Sequence, residues 1–334
     1  QVISETLGGL ATSLGVSDHF GRSVAPIGDL DGDGVIDIAV GVPNDDDGNS
    51  DRGAVFILFL NADGTVKAEQ KISDTLGGFT AVLDNADEFG IGVTGLGDLD
   101  GDGINDIVVG AHQDDDGLNG NGGAVYVLFL NTNGTVKSYQ KISETDGSLG
   151  VLFDANDRFG GSVANVGDLD GDGLNDIVVG AKDDDDGFAN AGAVYVLFLN
   201  DDGTVKSYQK ISQTTGGLSA SPLGGSDGFG IGTAGLGDVD GDGTNDIAVG
   251  SYWDDDGGTN HGAAYVLLLN SDGTVKSQQK ISDTVGGLAA VLESNDEFGT
   301  AVGAVGDVDA DGVPDLIVGA PKDDDGNSLS GAAY

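Results

Sequence analysis

The sequence predicts an all-β fold, a β-propeller built from five four-stranded antiparallel blades. The first observation is an internal repeat, because the dipeptide Phe-Gly recurs at intervals of about 70 residues. The second is that each interval holds four short apolar segments separated by Gly- and Asp-rich turns, without the periodicity of a helix. The five repeats start near Phe20, Phe89, Phe159, Phe229 and Phe298.

The first copy shows why each segment is predicted as a strand. Residues 20–28 and 36–42 are short runs of small and β-branched residues, which we label strands a and b. Residues 53–60 (GAVFILFL) are continuously apolar, as in a strand covered on both faces, and form strand c. An Asp-Gly turn typical of hairpins leads to strand d, TVKAEQKIS, whose apolar residues alternate with charged ones.

Strand d is predicted to lie at the edge of each blade. Its two lysines, Lys67 and Lys71 in the first copy, recur in copies two to four, and lysine on an exposed edge opposes pairing with another sheet. The chain opens on QVISET, which matches the end of strand d, and it stops at GAAY in strand c. We therefore expect residues 1–6 to complete the last blade and to close residues 1–334 into a single propeller domain. The alternative is part of a seven-bladed or longer array.

The charge balance excludes several classes of function. The chain has 57 acidic and 13 basic residues, a formal net charge of -44, so it offers no basic surface for nucleic acid. No apolar run approaches the length that spans a bilayer, so we expect no direct membrane insertion. The first residues form no secretion signal, which is typical of a mature or excised segment.

Each copy carries the pattern DxDxDGxxD between strands a and b, with Asp at loop positions 1, 3, 5 and 9 and Gly at position 6. Four carboxylates within nine residues repel one another unless a hard cation neutralises them, and an all-oxygen ligand set favours Ca²⁺. Valine occupies position 12 in every copy, where an EF-hand needs a bidentate Glu. The alternative is a set of metal-free Asp-Gly turns.

We predict one calcium ion per loop, about five in all, held by four side chains and the backbone carbonyl of position 7. The predicted ligands are Asp29, Asp31, Asp33, Val35 and Asp37; Asp98, Asp100, Asp102, Ile104 and Asp106; Asp168, Asp170, Asp172, Leu174 and Asp176; Asp238, Asp240, Asp242, Thr244 and Asp246; and Asp307, Asp309, Asp311, Val313 and Asp315.

A second set of acidic clusters falls in the b–c loops, at the end of the blade opposite the calcium loops. We expect either a second cation site, shared with the Asp two residues before each Phe-Gly, or turn-capping carboxylates on an acidic rim. In the fourth copy this loop also holds Tyr252 and Trp253, an aromatic pair that could contact a ligand or simply pack locally. The acidic candidates are Asp45, Asp47, Asp114, Asp116, Asp184, Asp186, Asp254, Asp256, Asp323 and Asp325.

These motifs together resemble the FG-GAP repeats of the integrin α-subunit propeller and its bacterial relatives. The resemblance rests on Phe20-Gly21, the DxDxDGxxD loop at 29–37, VGVP at 40–43 and the GAVF start of strand c at 53–56. It implies calcium binding by the loop aspartates and a role in extracellular recognition. Two departures stand out: integrin-type propellers have seven blades, and the copies here carry a longer connection from strand d to the next strand a.

The expected function is that of a non-enzymatic, calcium-binding module for adhesion, recognition or surface assembly. Extracellular calcium sites bind at roughly 10⁻⁴ to 10⁻³ M, so we expect an extracellular or cell-surface location. The expected partner is a protein or glycan at the face opposite the calcium loops, or neighbouring copies of the chain. The alternatives are a lectin-like carbohydrate-binding propeller and a calcium-dependent polysaccharide lyase.

Overall fold

A computed structural model describes residues 1–117, 120–218, 223–324 and 330–334, and each regular element in these ranges is a β-strand. All strand pairs within the sheets are antiparallel, and the sheets follow one another along the chain as five blades. The predicted all-β propeller fold is confirmed. The chain divides into two compact units, residues 1–160 with 199–205 and residues 161–198 with 206–334.

The first unit holds two four-stranded blades, each in the order a, b, c, d. The first blade consists of β1 (Ser23–Gly28), β2 (Asp37–Val42), β3 (Ala54–Leu60) and β4 (Val66–Ile72). The second consists of β5 (Val93–Gly97), β6 (Asp106–Ala111), β7 (Ala124–Leu130) and β8 (Val136–Ile142).

Most of the other three blades lies in the second unit. The third blade is β9 (Phe159–Gly167), β10 (Asp176–Ala181), β11 (Ala193–Leu199) and β12 (Val205–Ser212). The fourth is β13 (Phe229–Gly237), β14 (Asp246–Ser251), β15 (Ala263–Leu269) and β16 (Val275–Ile281). The fifth shows three strands in the described residues, β17 (Ala301–Gly306), β18 (Asp315–Ala320) and β19 (Ala332–Ala333).

The strand types follow the predicted pattern. In the four-stranded blades, strands b and c are almost wholly buried, whereas strand d lies at the edge of the sheet, as predicted, and is partly exposed. In the second blade, Val109 on strand b pairs with Tyr126 on strand c, which in turn pairs with Lys141 on strand d. This register sets a fully buried aromatic ring beside the base of a lysine side chain, a contact used repeatedly below.

Residues 1–6, predicted as a closing strand, belong to none of the five sheets in the described part of the chain. The backbone turns instead, because Gly8 and Gly9 both have positive φ, and Ser4 and Leu7 form an isolated bridge. Leu10 packs into the core of the first blade, and the Gly8 carbonyl accepts a hydrogen bond of 2.8 Å from the backbone N–H of Val66. Closure of the chain into a ring stays a prediction.

The long connection from strand d to the next strand a repeats this arrangement. In the first unit, the Gly77 carbonyl accepts a 2.8 Å hydrogen bond from the N–H of Val136, the first residue of β8. Phe79 and Leu83 of the same connection are buried, and the Phe79 ring stacks on Phe89 with centroids 4.9 Å apart. The additional residues in each copy therefore supply core side chains and cover the start of an edge strand.

The Phe-Gly dipeptide marks the junction between consecutive blades. Phe89 is completely buried and packs edge-on against Tyr126 of its own blade, with centroids 5.6 Å apart. Its backbone forms a parallel bridge with Gly53 of the preceding blade. Gly90 has φ +98°, and a Cβ atom at this position would lie 2.4 Å from the Ala54 carbonyl oxygen, so only glycine allows the two backbones to approach.

Candidate metal centres

Each a–b loop brings three carboxylates together. In each cluster, one oxygen from each of the three residues lies within 4.8 Å of the others. Calcium binds oxygen at 2.3–2.6 Å, so two ligands on opposite sides of one ion are about 5 Å apart, and these clusters fit that ion. The clusters are Asp29, Asp31 and Asp33; Asp98, Asp100 and Asp106; Asp168, Asp170 and Asp176; Asp238, Asp240 and Asp246; and Asp307, Asp309 and Asp311.

The backbone of each loop wraps around the carboxylate at position 1. In the first loop, Asp29 accepts hydrogen bonds of 2.8–2.9 Å from the N–H groups of Gly32, Asp33 and Gly34. Gly32 and Gly34 have φ of +78° and +88°, which glycine adopts without strain. Gly34, at position 6, therefore has a backbone conformation that permits the predicted reversal of the chain around Asp29.

The aspartate at position 9 fastens the loop to the sheet. Asp106 is buried, and its two oxygens accept hydrogen bonds from the N–H groups of Leu99 (3.0 Å) and Leu130 (3.1 Å). Burial raises the pKa of Asp106 to about 6, although both hydrogen bonds oppose the shift. The calcium role predicted for the carbonyls of position 7 stays a prediction; the N–H of Ile104 at that position donates to Asp102 at 2.9 Å.

The first lysine of strand d reaches into the same loops. Lys137 lies 2.6 Å from Asp100 and 2.5 Å from Asp102, and Lys206 lies 2.6 Å from Asp170 and 2.7 Å from Asp172. Lys67 pairs with Asp31 and Asp33 in the first blade, and Lys276 with Asp240 and Asp242 in the fourth. This pairing was not predicted from the sequence, from which these lysines were expected only to protect the edge of the sheet.

The second lysine of strand d serves the b–c cluster at the other end of the blade. Lys141 pairs with Asp114 at 2.7 Å and also with Asp116, and its ammonium lies 5.5 Å from the centroid of the Tyr126 ring. The Tyr126 hydroxyl donates to Asp114 at 3.1 Å. The first aspartate of every cluster is at most 3% exposed, and these residues are Asp45, Asp114, Asp184, Asp254 and Asp323.

This network bears on the second cation site predicted in the b–c loops. In the first four blades a lysine joins the first and third aspartates of the cluster, Asp45 with Asp47, Asp114 with Asp116, Asp184 with Asp186 and Asp254 with Asp256. Within the described ranges, no b–c cluster is among those that bring three carboxylate oxygens within 4.8 Å. Asp325 lies outside the described residues. A second metal site in the b–c loops stays a prediction. The cation that the structure places at these aspartates is the lysine ammonium.

The aspartate two residues before each Phe-Gly caps a turn, the simpler of the two roles considered for it. Asp87 is 3% exposed and accepts a 2.7 Å hydrogen bond from the N–H of Asp84. Burial, together with the charge of Asp114 nearby, raises the pKa of Asp87 to about 7. Asp227 in the fourth blade is similar: burial and the charge of Asp254 raise its pKa to about 6.

We predict that Asp87 makes the fold less stable as the pH rises. Its folded pKa exceeds the unfolded value of about 3.9, so the cost of ionisation develops between about pH 4 and 7 and is fully present above pH 7. Asp87→Asn keeps an acceptor for the N–H of Asp84 but carries no charge. In urea unfolding with saturating calcium, the free energy of unfolding of the variant should exceed that of the wild type by about 1–3 kcal/mol at pH 8 and by little at pH 4.

The exposed Asp115 supplies a control for the loss of one negative charge from the same blade. Asp115→Asn should change the stability by a similar small amount at both pH values. A difference between Asp87→Asn and the wild type that does not depend on pH would contradict the assignment.

The aromatic pair in the fourth blade is mainly a packing feature. Tyr252 and Trp253 stack with centroids 4.4 Å apart, and the Trp253 indole N–H donates to Glu297 at 3.1 Å. Tyr252 is only 9% exposed and Trp253 is half-buried. Local packing, one of the two roles considered for the pair, is therefore present at Tyr252, whose ring packs against that of Trp253 and against Gly228, while contact with a ligand stays a prediction.

A scan against protein-family models matches the FG-GAP repeat at residues 20–58, 89–128, 159–197 and 298–334. The fourth copy lies outside these ranges, although its blade has the same strand order. In the described part of the chain, no helix is long and apolar enough to cross a bilayer.

Integrin alpha-5 of Xenopus laevis is 32% identical over 241 residues, which are 70% of this chain and 20% of that protein. Integrin alpha pat-2 of Caenorhabditis briggsae is 32% identical over 248 residues, 70% of this chain and 18% of that protein. Integrin alpha-PS5 of Drosophila melanogaster is 37% identical over 155 residues, 46% and 14% of the two chains. This chain spans a fifth or less of the length of these relatives. Four of its five copies thus match the FG-GAP repeat, and the chain is similar to integrin α subunits over 70% of its length.

Proposed function

We propose that this chain is a calcium-stabilised recognition module that works outside the cell and has no enzymatic activity. The observation that carries the proposal is the recurrence, in all five blades, of three carboxylates whose oxygens lie within 4.8 Å of one another. Calcium would neutralise these clusters and hold each a–b loop in the conformation that its backbone hydrogen bonds already favour. Sites of this kind fill at extracellular calcium levels, which supports an extracellular or cell-surface location.

The recognition surface in this proposal is the end of the blades that carries the b–c loops and the d–a connections. The a–b loops are nearly identical between copies, whereas the b–c loops differ in sequence, as expected if one end is structural and the other selects a partner. The d–a connections also present one large aliphatic side chain at equivalent positions, Val82, Leu152 and Val291, which are 80%, 78% and 74% exposed. Exposed aliphatic residues on an acidic surface favour a protein partner, with a glycan as the second candidate.

The lyase alternative receives no comparable support. A lyase needs a base and a cation in one cleft. Arg52, a cation near the b–c end, is instead paired with Asp74 at 2.5 Å. Neighbouring copies of the chain remain a further candidate partner, as in a surface assembly.

The test is binding of the purified protein to arrays of extracellular proteins and of glycans, in millimolar calcium and in EDTA. We expect calcium-dependent binding to a protein that falls at least tenfold in the double variant Val82→Ser/Leu152→Ser. Ile36→Ser is the matched control, because Ile36 is also exposed (61%) but lies in a calcium loop. Equal loss in both variants, or binding that persists in EDTA, would argue against this surface and this mechanism.

A further inference from the structure

The first lysine of strand d contacts the calcium loop of its own blade in four blades out of the five. These lysines are Lys67, Lys137, Lys206 and Lys276, and each pairs with the aspartates at loop positions 3 and 5. The pairing joins residues 34 to 37 positions apart in the sequence, and it recurs with nearly the same geometry in every blade that has the lysine. The contact is therefore a regular feature of the blade.

The lysine uses the carboxylate oxygens that the loop itself leaves free. In the second loop, Asp100 Oδ1 accepts from the N–H of Asp102, and Asp102 Oδ1 accepts from the N–H of Ile104. The remaining oxygens, Oδ2 of both aspartates, contact Lys137 Nζ at 2.6 and 2.5 Å. The third and fourth loops repeat this division of the oxygens. A metal ion that bound Oδ2 of positions 3 and 5 would therefore compete with the ammonium for the same two oxygens.

We propose that this lysine is a tethered counter-ion that calcium must displace from loop positions 3 and 5. The inference rests on the proposed calcium binding and adds a role for the chain's own residues in setting its affinity. Two cations that share the same pair of oxygens repel each other, so binding of calcium and pairing of the lysine oppose one another. The side chains of Lys137, Lys206 and Lys276 are 37–39% exposed, so each ammonium can move into water when calcium arrives.

Displacement has two consequences. Without calcium, the lysine neutralises part of each loop and limits repulsion among its carboxylates. With calcium present, the affinity is weaker than the carboxylates alone would provide, which moves the response towards higher calcium concentrations. Partly exposed ion pairs contribute little individually, so removal of one lysine should tighten calcium binding to its loop by about three- to tenfold.

The experiment follows the loops individually by NMR during calcium titration of the full chain. The amide of Gly103 donates to Asp98 in the second loop, and the amide of Gly34 donates to Asp29 in the first, so each reports on one site. In Lys137→Gln, the midpoint for Gly103 should move to three- to tenfold lower calcium, while that for Gly34 stays unchanged. In Lys137→Arg, which keeps a cation on the same strand position, the Gly103 midpoint should remain close to that of the wild type.

The outcomes separate this inference from the proposal on which it depends. No calcium response at either loop of the wild type would refute calcium binding itself. A wild-type response combined with an unchanged or weaker Gly103 midpoint in Lys137→Gln would overturn the counter-ion role and leave calcium binding intact. Equal tightening at Gly103 and Gly34 would show a long-range charge effect, which also overturns displacement. A calcium-bound crystal structure should show Lys137 Nζ moved away from Asp100 and Asp102, and an ammonium still on both would count against the inference.

Discussion

Gly90→Ala should cost about 4 kcal/mol or more of the free energy of unfolding, or prevent folding altogether. Two penalties combine at this position. A non-glycine residue at φ +98° is strained by about 1–2 kcal/mol. In addition, the new Cβ would lie 2.4 Å from the Ala54 carbonyl oxygen and 3.1 Å from the Val42 nitrogen, so the backbones of two blades would have to separate. Urea unfolding of the purified variant measures the loss.

Gly21→Ala is the matched control, because Gly21 occupies the same repeat position with a similar φ of +88° and has no atom within 4 Å of the added Cβ. Only the backbone penalty applies there, so the loss should be about 1–2 kcal/mol. Similar losses in the two variants would show that backbone strain dominates and that the close approach of the blades contributes little.

Removal of calcium should lower the melting temperature by about 10–20 °C. Ligand at about 100 times its dissociation constant contributes about 2.7 kcal/mol per independent site, and five sites add together. The unfolding entropy of a chain of this length converts that sum into a shift of this size. The physical source is repulsion among the carboxylates of each loop, which lysine neutralises only in part. Thermal unfolding by circular dichroism in calcium and in EDTA provides the measurement.

One pair of variants in the first blade tests whether the loops are responsible. Asp31→Asn removes a predicted ligand at loop position 3. It should reduce the calcium-dependent shift of the melting temperature by about the contribution of one of the five sites. Asp63→Asn removes the same charge from the c–d turn, where the second copy already carries Asn133 in the same hydrogen bond to a threonine, so its calcium response should equal that of the wild type. A melting temperature that is the same with and without calcium would rule out stabilisation by the metal.

Much of the fold could be predicted from the sequence, because the signals are local and repeated. Strand c was predicted at 53–60 and is found at Ala54–Leu60, since a short apolar run that is rich in β-branched and aromatic residues and bounded by turns favours a buried strand. The nine-residue a–b loops could be predicted equally well. Their aspartates lie close together in sequence, and the glycine at position 6 indicates the reversal that brings them together in space.

The partners of the lysines could not be predicted in the same way, although a signal was present. Lys67 and Lys71 are four residues apart on one strand, so they share a face and lie about 13 Å apart. With the reach of the two long side chains, that spacing carries one ammonium to the a–b loop and the other to the b–c cluster. Alternation along the strand predicted that both lysines share a face, but not that each ammonium would reach the acidic group at its own end of the blade.

By itself, the sequence determined the repeat, the strands and the acidic loops, because each depends on residues close together in the chain. Only the tertiary structure decided which groups meet across strands and blades. It buries Asp87 beside Asp114, seats Leu10 in the first blade, and brings the Gly90 backbone against Ala54. These contacts depend on the register of paired strands and on the approach of one blade to the next, and a pattern within one repeat carries no information about either.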